Sequence, residues 1–348
     1  MSKGSISKRK DGRYSVRVSV NGKTITKYAK SPEAAELLRQ ELTGDSKPED
    51  LTLSELARRW LASANLKPTT EQSYRITLDK HILPALGGSK LVTAVKPADV
   101  AAVISVVRSK GLSDRSTQYA YVVLRRLLQV AYEWQLVEVN AAARVAKPRN
   151  STASKDTWTK EETKKFLAYV SASGEMWGKL WLVGLLSGCR IGELLAVKFE
   201  DVENGGVVIK RSLAELNGGK FIIQTPKNAT SNRFVLLPEA ALKAITSLKD
   251  LTGSEFVFRY PVNHNPPLRS SLRRCFITAC KNSGVKYISI HGLRRVHTTI
   301  LAASGVSVKA AQTRLGHSTP SMTLKIYTHI LVENDSQTVT ALNKFLGV

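Results

Sequence analysis

The chain has 348 residues, of which 43% are hydrophobic, and its 52 Lys and Arg against 28 Asp and Glu give a formal net charge of +24. This length predicts two or three folded domains, and the charge predicts a polyanionic partner, with nucleic acid as the first candidate. A basic folded protein without such a partner is the alternative that charge alone leaves open. No apolar run approaches the roughly 20 residues that span a bilayer, so a membrane protein is not expected.

The cysteines and histidines predict neither disulfides nor a metal site. The three cysteines, Cys189, Cys275 and Cys280, are odd in number and lack C-x-x-C spacing, as expected of reduced thiols in a cytosolic protein. The six histidines form no H-E-x-x-H or Cys/His cluster in the sequence. We therefore expect the protein to work without a metal ion or another cofactor.

Residues 1–45 predict a small basic domain built from strands and one helix. Apolar and polar residues alternate over 14–20, as in a half-buried strand, and Asn21-Gly22 predicts a hairpin turn. Ser31-Pro32 predicts the start of a helix. Such a sheet suits insertion into a DNA groove, although the charge could serve only to keep a small domain soluble. The candidate DNA contacts of this domain are Lys8, Arg9, Lys10, Arg13 and Arg17.

Residues 51–148 predict an all-helical domain. A polar linker with Gly and Pro precedes it at 43–50, and Thr52 with Glu55 predicts a capping box at its first helix. Further helices are predicted at 70–83, 97–109 and 116–134. The candidate phosphate contacts of this domain are Lys80, Arg115 and Arg125. Any of them could instead be a solvated charge on a helix.

Residues 156–348 predict a third, mainly helical domain after a polar and basic linker at 147–156. A capping box at Thr159 and Glu162 begins its first helix. Helices are predicted at 160–172, 175–187, 190–199, 239–249, 269–282, 291–303, 307–315 and 320–330. Strands are predicted at 206–211, 220–225 and 232–237. Residues 331–348 carry an apolar stripe at helical spacing, which could pack against the rest of its own chain.

The stretch from His291 to Tyr327 collects groups that can attack a phosphodiester without a metal. His291 and Arg294 are one helical turn apart, which places both on one face of a helix. Leu315-Gly316-His317 follows, and Tyr327 comes ten residues later. Arginine offers a planar fork to non-bridging phosphate oxygens, and histidine moves protons near neutral pH. Tyrosine is a covalent nucleophile that needs help, because its ordinary pKa is about 10.

This segment resembles the catalytic domain of the tyrosine recombinase (phage integrase) family, which carries H-x-x-R, then L-G-H, then Y. The family also has an earlier arginine, matched by Arg190 in SGCRIGELLAV with Glu193 three residues on. Its lysine in a β-hairpin turn is matched by Lys227 in IIQTPKNATSNRFVLLP. The matches occur in the family's order and approximate spacing. The resemblance covers essentially the whole chain and is most specific in 188–330.

The resemblance implies the reaction and four of its residues. Tyr327 would attack the scissile phosphate, form a 3′-phosphotyrosyl link and release a 5′-hydroxyl, which needs neither ATP nor a metal. Arg190 and Arg294 would hold the non-bridging oxygens in the transition state. Lys227 would protonate the leaving oxygen, although a turn lysine is otherwise a solvated charge. The alternative for Tyr327 is an ordinary helix tyrosine.

Three further residues receive roles from the resemblance. His291 would accept or position a proton near the tyrosine, and His317 would hydrogen-bond a phosphate oxygen. Glu193 would orient catalytic groups without titrating in the reaction. Arg233, the basic residue nearest to Lys227 in the hairpin, is not expected to act as an acid because arginine does not readily donate a proton.

The resemblance also implies an architecture and partners. The fold class would be a small β-sheet-plus-helix arm-type DNA-binding domain (1–45), an all-α core-binding bundle (51–148) and a mainly-α α+β catalytic domain of the tyrosine recombinase and type IB topoisomerase type (156–348). The partners would be double-stranded DNA attachment sites of core and arm type and further copies of the chain. A homotetramer on DNA would exchange C-terminal tails and pass through a Holliday junction.

The implied function is the integration and excision of a phage or mobile element in the bacterial cytoplasm, at the nucleoid. A directionality factor and a host DNA-bending protein are further candidate partners. One alternative is a type IB topoisomerase, which shares the chemistry but relaxes DNA without pairing two sites; the arm-like domain argues against it. Another is a catalytically idle DNA-binding protein of the same fold, against which the intact residue set argues.

Overall fold

The structure is a computed structural model that describes residues 4–9, 12–20, 23–29, 31–32, 35, 38–39, 51–149, 157–224, 232–317, 319–321, 323–324 and 327. Backbone contacts divide the chain into two compact units, Met1–Thr152 and Ala153–Val348. Within the described ranges, no helix is long and apolar enough to cross a membrane. The predicted features that lie outside the described residues are Lys10, the Asn21-Gly22 turn, the linker 43–50, most of the linker 147–156, Lys227 and the segment 331–348.

A three-stranded antiparallel sheet of order β1-β2-β3 occupies the beginning of the first unit. Its strands are β1 (Ser5–Lys8), β2 (Tyr14–Val20) and β3 (Lys23–Ala29). The predicted alternation sets the faces: Val16 and Val18 are fully buried and pack with Ala35 of the following helical segment. Arg17, between them, is exposed. One face of the sheet is therefore covered, and the other is open.

Residues 51–149 form a helical bundle, as predicted, with one change at its second helix. Its helices are α1 (Leu53–Ser63), α2 (Pro68–Thr77), α3 (Leu83–Leu86), α4 (Pro97–Ser109) and α5 (Asp114–Glu133). The helix predicted at 70–83 widens into a π-helical turn over Leu78–Ile82. Pro84 lacks the N–H that an α-helix would direct at the carbonyl of Lys80, so the turn closes from Leu83 N to Leu78 O instead.

The second unit is mainly helical. Its helices are α6 (Lys160–Ala172), α7 (Met176–Ser187), α8 (Ile191–Leu194), α9 (Glu239–Thr246), α10 (Lys249–Thr252), α11 (Arg269–Asn282), α12 (Ile290–Ala303) and α13 (Val308–Leu315). Helix α7 is apolar on all sides, as expected of a buried helix, and packs against α6, α9, α11 and α12. Its buried residues Leu180, Trp181 and Val183 lie in the core of the unit.

Two small antiparallel sheets complete the second unit, in the orders β4-β5-β8 and β6-β7. The strands are β4 (Val202–Glu203), β5 (Gly206–Ile209), β6 (Ser212–Glu215), β7 (Phe221–Gln224) and β8 (Arg233–Leu236). The strand predicted at 206–211 ends at Ile209 because its partner Arg233 is the first residue of β8. Residues 212–215, which were not predicted as a strand, pair with β7.

The helix predicted at 190–199 is much shorter than expected. Helix α8 ends at Leu194, and the chain beyond it forms an antiparallel bridge between Lys198 and Phe256. Val257 N donates to Val197 O at 3.0 Å and Phe199 N donates to Glu255 O at 3.0 Å. Tertiary pairing thus overrides the local helical pattern, and Arg190 lies at the N-cap of a short helix instead of inside a long one.

Candidate active site

Arg190 is positioned by a sharp turn and by a carboxylate one helical turn away. Helix α7 ends at Gly188, whose φ of +67° is left-handed. Arg190 then caps α8: its backbone N–H donates to Glu193 Oε2 at 2.9 Å and its Nη1 donates to Glu193 Oε1 at 2.7 Å. The Arg190 side chain is 38% exposed, whereas that of Glu193 is 6% exposed. The carboxylate therefore holds a guanidinium whose remaining donors can reach solvent.

Glu193 has a second cationic partner, Arg233 of β8. Arg233 Nη2 donates to Glu193 Oε2 at 2.8 Å, and its Nη1 lies 3.3 Å from Oε1. Burial disfavours the ionised carboxyl, but the hydrogen bond and charge of Arg233, together with those of Arg190, outweigh it and hold the pKa of Glu193 below its ordinary value. Glu193 is thus an ionised carboxylate at neutral pH, as the family role requires.

Arg294 is the second predicted phosphate ligand and is almost completely buried, at 3% exposure. Its Nη1 donates to Gly188 O at 2.9 Å and its Nη2 donates to Leu315 O at 2.6 Å. Burial, followed by the charge of Arg190, lowers the pKa of Arg294 to about 9. The guanidinium therefore stays charged at neutral pH, and a phosphate bound nearby would relieve part of its desolvation.

His317 follows a second left-handed glycine, Gly316, whose φ is +65°. Its Nδ1 lies 2.8 Å from the hydroxyl of Thr323. If that hydroxyl donates, Nε2 carries the proton and can donate to a phosphate oxygen. Burial and then the charges of Arg294, Arg190, His291 and Arg233 lower the pKa of His317 to about 4, so His317 is neutral at pH 7.

The electrostatic effect of neighbouring charges on His317 shows which predicted residues the fold brings together. Arg190, Arg294 and His291 all lower the pKa of His317, although Arg190 is far in the sequence from His291 and Arg294, which share α12. His291 is exposed on the first turn of α12, one turn before buried Arg294. The structure therefore gathers four predicted catalytic side chains into one positive site: Arg190, His291, Arg294 and His317. Glu193 supports this site through its hydrogen bond with Arg190.

Two predicted catalytic residues remain, Lys227 and Tyr327. Lys227 lies outside the described residues. Tyr327 is described and is 3% exposed, but it packs with Ala302 and Ala311, and its hydroxyl has no hydrogen-bond partner among the described residues. Burial raises the pKa of the Tyr327 phenol. In this structure the expected nucleophile is thus a buried, protonated side chain.

The described candidate DNA-contacting residues all belong to the first unit. Arg9 and Arg13 stack on the ring of Tyr28, at 4.9 and 5.7 Å from its centroid. The candidates that are exposed in the structure are Lys8, Arg9, Arg13, Arg17, Lys80, Arg115 and Arg125. Their exposure leaves them accessible to a polyanion.

The sequence interpretation gave no role in the site to Arg233, Arg314 or Thr323. Arg233 lies on the buried face of β8 together with Val235, and a cation at an inward position of a strand is the signal that could have revealed it. Arg314 donates through Nε to His297 Nε2 at 3.1 Å and through Nη2 to Leu186 O at 3.2 Å. Thr323, the partner of His317, carried no local signal. Within the described ranges, no group of three or more His, Cys, Asp or Glu side chains could hold a metal ion.

Two arginines, two histidines and a supporting carboxylate, set in a helical domain with a small hairpin sheet, define a catalytic domain of the tyrosine recombinase class. Residues 157–334 match the model of the phage integrase family, and residues 52–104 match that of its N-terminal SAM-like domain. Because the first match covers about half of the chain, the chain belongs to the phage integrase family, whose members are tyrosine-type site-specific recombinases.

Individual relatives agree with this assignment. The chain is 24% identical over 371 residues to the ICEBs1 integrase of Bacillus subtilis (strain 168), across 98% of this chain and 100% of the relative. Its fold is similar to that of the Tn1549 transposon integrase in complex with a circular intermediate DNA, with a TM-score of 0.68 at 20% identity over 80% of this chain and 95% of the other. It is also similar to a lambda integrase tetramer bound to a Holliday junction, with a TM-score of 0.62 at 18% identity over 92% and 94% of the two chains.

Proposed function

We propose that this chain cuts and rejoins DNA at specific attachment sites to integrate and excise a phage or mobile element. The observation that carries the proposal is the convergence of Arg190, Arg294 and His317, from three distant segments, on one positive site. Preorganised donors of this kind stabilise the charge that builds on a phosphoryl group, and loss of one such donor typically slows a reaction by about 10²–10³-fold.

The proposed chemistry is an exchange of one phosphodiester for another. The Tyr327 oxygen forms a bond to phosphorus as the bond from phosphorus to the 5′-oxygen breaks, which leaves a 3′-phosphotyrosyl link and a 5′-hydroxyl. His291 accepts the phenolic proton, and Lys227 supplies one to the leaving oxygen. Attack by a 5′-hydroxyl from another strand reverses these steps. The number of phosphoester bonds is unchanged, so no external energy source is needed.

The buried position of Tyr327 adds a requirement to this scheme. The residue packs with Ala302 and Ala311, and its hydroxyl makes no hydrogen bond to a described residue. Cleavage therefore requires that the phenol leave this packing and reach a phosphate held by the arginines, or that a neighbouring copy supply its own tyrosine. We infer that DNA binding and assembly drive this step, because a phenol with a raised pKa is a poor nucleophile.

The proposed assembly has three parts in each protomer. Residues 1–45 bind arm-type DNA, residues 51–148 bind the core site, and residues 156–348 carry out catalysis. By analogy with the lambda relative, four protomers hold two DNA sites and pass through a Holliday junction. Exchange of residues 331–348 between protomers would couple the active sites, and a directionality factor and a DNA-bending protein of the bacterial host would select between integration and excision.

A suicide substrate nicked beside the cleavage point tests the proposal. The wild-type protein should form a covalent protein–DNA adduct that persists in EDTA and is absent with Tyr327→Phe. An adduct that survives this substitution would remove the nucleophile assignment. A plasmid with two attachment sites then separates the activities: recombination supports the proposal, relaxation alone supports a topoisomerase, and DNA binding without an adduct supports the idle protein.

A further inference from the structure

Arg233 joins two of the segments that carry predicted catalytic residues, and we propose that it is a positioning residue for strand cleavage. This inference rests on the proposed function of the site. Arg233 is 8% exposed, so it offers little surface to DNA. Its contacts instead join residues 189–193 to residues 314–316. These two segments lie 121 to 127 residues apart in the sequence.

The first set of contacts reaches the segment that presents Arg190. Arg233 Nη2 donates to Glu193 Oε2 at 2.8 Å and lies 3.7 Å from Cys189 Sγ. Glu193 in turn binds the backbone N–H and the Nη1 of Arg190. Arg190 is far more exposed than Glu193, so Arg233 supplies the buried cation that keeps this carboxylate ionised and in one orientation. Arg233 thereby fixes the group that orients Arg190.

The second set of contacts reaches the turn that presents His317. The last carbonyls of a helix lack partners within the helix. In α13, the carbonyl of Gln312 accepts from the backbone N–H of His317 at 3.2 Å, and that of Thr313 accepts from Gly316 at 3.1 Å. The next carbonyl, of Arg314, accepts from Arg233 Nε at 2.8 Å.

The carbonyl after that, of Leu315, accepts from Arg294 Nη2 at 2.6 Å. Two guanidinium groups thus complete the end of α13 just before His317, where positive charge is also favoured by the helix dipole. Gly316 leaves room for this arrangement, because a β-carbon there would lie 2.9 Å from Arg233 Nη1. Arg294 belongs to the predicted catalytic set, whereas Arg233 contacts Glu193 and Arg314 O, which hold members of that set in place.

A lysine could not replace this geometry. The guanidinium uses its Nε on one segment and its Nη atoms on the other, in a rigid plane. A lysine ammonium is a single point with three donors on a flexible stem, so it can neutralise Glu193 but cannot hold both segments in register. Arg233→Lys should therefore keep most of the stability and lose most of the catalytic benefit.

The test compares Arg233→Met, Arg233→Lys and a matched control, Arg211→Met. Arg211 pairs with Asp201, a carboxylate that is 1% exposed and that keeps a second cation, Lys210, at 3.4 Å. The control thus removes one of two cations from a buried carboxylate, as Arg233→Met does at Glu193. Each full-length variant is assayed for adduct formation on the nicked substrate, for DNA affinity and for hydrogen exchange without DNA.

The proposal predicts adduct formation about 100-fold slower for Arg233→Met, as expected when a catalytic group is misplaced by about 1 Å. Arg233→Lys should be folded, bind DNA normally and still be slower by at least about 10-fold, whereas Arg211→Met should cleave at the wild-type rate once corrected for folded protein. Wild-type cleavage by Arg233→Lys would overturn the bridging role, and this outcome remains decisive even if Arg233→Met does not fold.

Hydrogen exchange gives a readout that does not depend on catalysis. Loss of the bridge should speed exchange in both 188–194 and 312–317 in Arg233→Met, and in 312–317 in Arg233→Lys, while Arg211→Met leaves both segments protected. Unchanged protection in the Arg233 variants would overturn the inference. If the wild-type protein formed no adduct, the proposed function would fail, and the exchange pattern would still decide whether Arg233 joins the two segments.

Discussion

The Nε of Arg314 donates a 3.1 Å hydrogen bond to Nε2 of His297. The other ring nitrogen of His297 therefore carries the proton and donates to Leu185 O at 2.9 Å. Arg314 also donates through Nη2 to Leu186 O, and Arg294 donates through Nη1 to Gly188 O. The carbonyls at the end of α7 are thus satisfied by side chains from α12 and α13, and this arrangement sets the start of the segment that carries Arg190.

Neutral His297 makes the stability of the catalytic unit depend on pH. Burial and the charge of Arg314 lower the pKa of His297 from 6.5 to about 4. The pKa of His297 is lower in the folded chain than in the unfolded chain, so the unfolded chain takes up the proton first as the pH falls. The contribution of neutral His297 to the free energy of unfolding is therefore fully present above pH 6.5 and is lost between pH 6.5 and about 4. The total loss is on the order of 3 kcal/mol, of which about 2 kcal/mol is lost by pH 5.

Thermal unfolding of the full chain at pH 7 and pH 5 measures this effect. His297→Gln should be less stable than the wild type at pH 7 but should lose less stability between the two pH values, by about 2 kcal/mol. Equal pH dependence in wild type and His297→Gln would contradict the assigned neutral state.

Gly316→Ala should impair both folding and cleavage. Residue 316 has a φ of +65°, and an added methyl would lie 2.9 Å from Arg233 Nη1 and 3.1 Å from its Cδ. Gly305 is the matched control, because its φ is +74° and an added methyl would meet nothing within 4 Å. Gly305→Ala should cost about 1 kcal/mol of backbone strain, or about 2–4 °C in Tm.

Gly316→Ala should lose more stability than this control, and its cleavage of the nicked substrate should fall by about 10-fold or more as Arg233 and His317 shift. Gly305→Ala should cleave normally. The same cleavage rate for both variants would show that the contact between Arg233 and Gly316 has no catalytic consequence.

The sequence predicted the parts of this protein that have a local signal. The periodicity of α6 and α7 predicted helices that the structure places at Lys160–Ala172 and Met176–Ser187, and the family motif predicted Arg190, Arg294 and His317. The supports of these residues have no such signal, because Arg233 binds Glu193 across 40 residues and Arg314 O across 81 residues. The short α8 was missed for a related reason, since its continuation pairs with a strand-like segment near Phe256.

Removal of the Tyr327 hydroxyl should abolish cleavage without destabilising the DNA-free protein. The hydroxyl is buried without a partner among the described residues, and such a group costs free energy in the folded state. Tyr327→Phe should therefore leave the Tm of the DNA-free protein unchanged or raise it by a few degrees, corresponding to about 1 kcal/mol.

The control for Tyr327→Phe is Tyr121→Phe. Tyr121 is equally buried, but its single hydroxyl proton is within hydrogen-bond distance of two carbonyl oxygens, Ala142 O at 3.0 Å and Val145 O at 2.9 Å. Its removal should cost about 1–2 kcal/mol because the carbonyls lose their donor. A loss of the same size for Tyr327→Phe would mean that the phenol is hydrogen-bonded in solution and is not held in an apolar site.

Arg17 should contribute more than Lys27 to arm-type DNA binding, because cross-strand partners share a face of the sheet. Arg17 pairs with Ser5 and Thr26, whereas Lys27 pairs with Val16, which is fully buried on the covered face. Arg17→Ala and Lys27→Ala remove the same charge from opposite faces. If the open face enters a groove, Arg17→Ala should weaken binding to arm DNA and lower the slope of log K against log salt by about 1. Lys27→Ala should leave that slope nearly unchanged, and equal slopes for the two variants would mean that charge alone, without a defined face, drives the interaction.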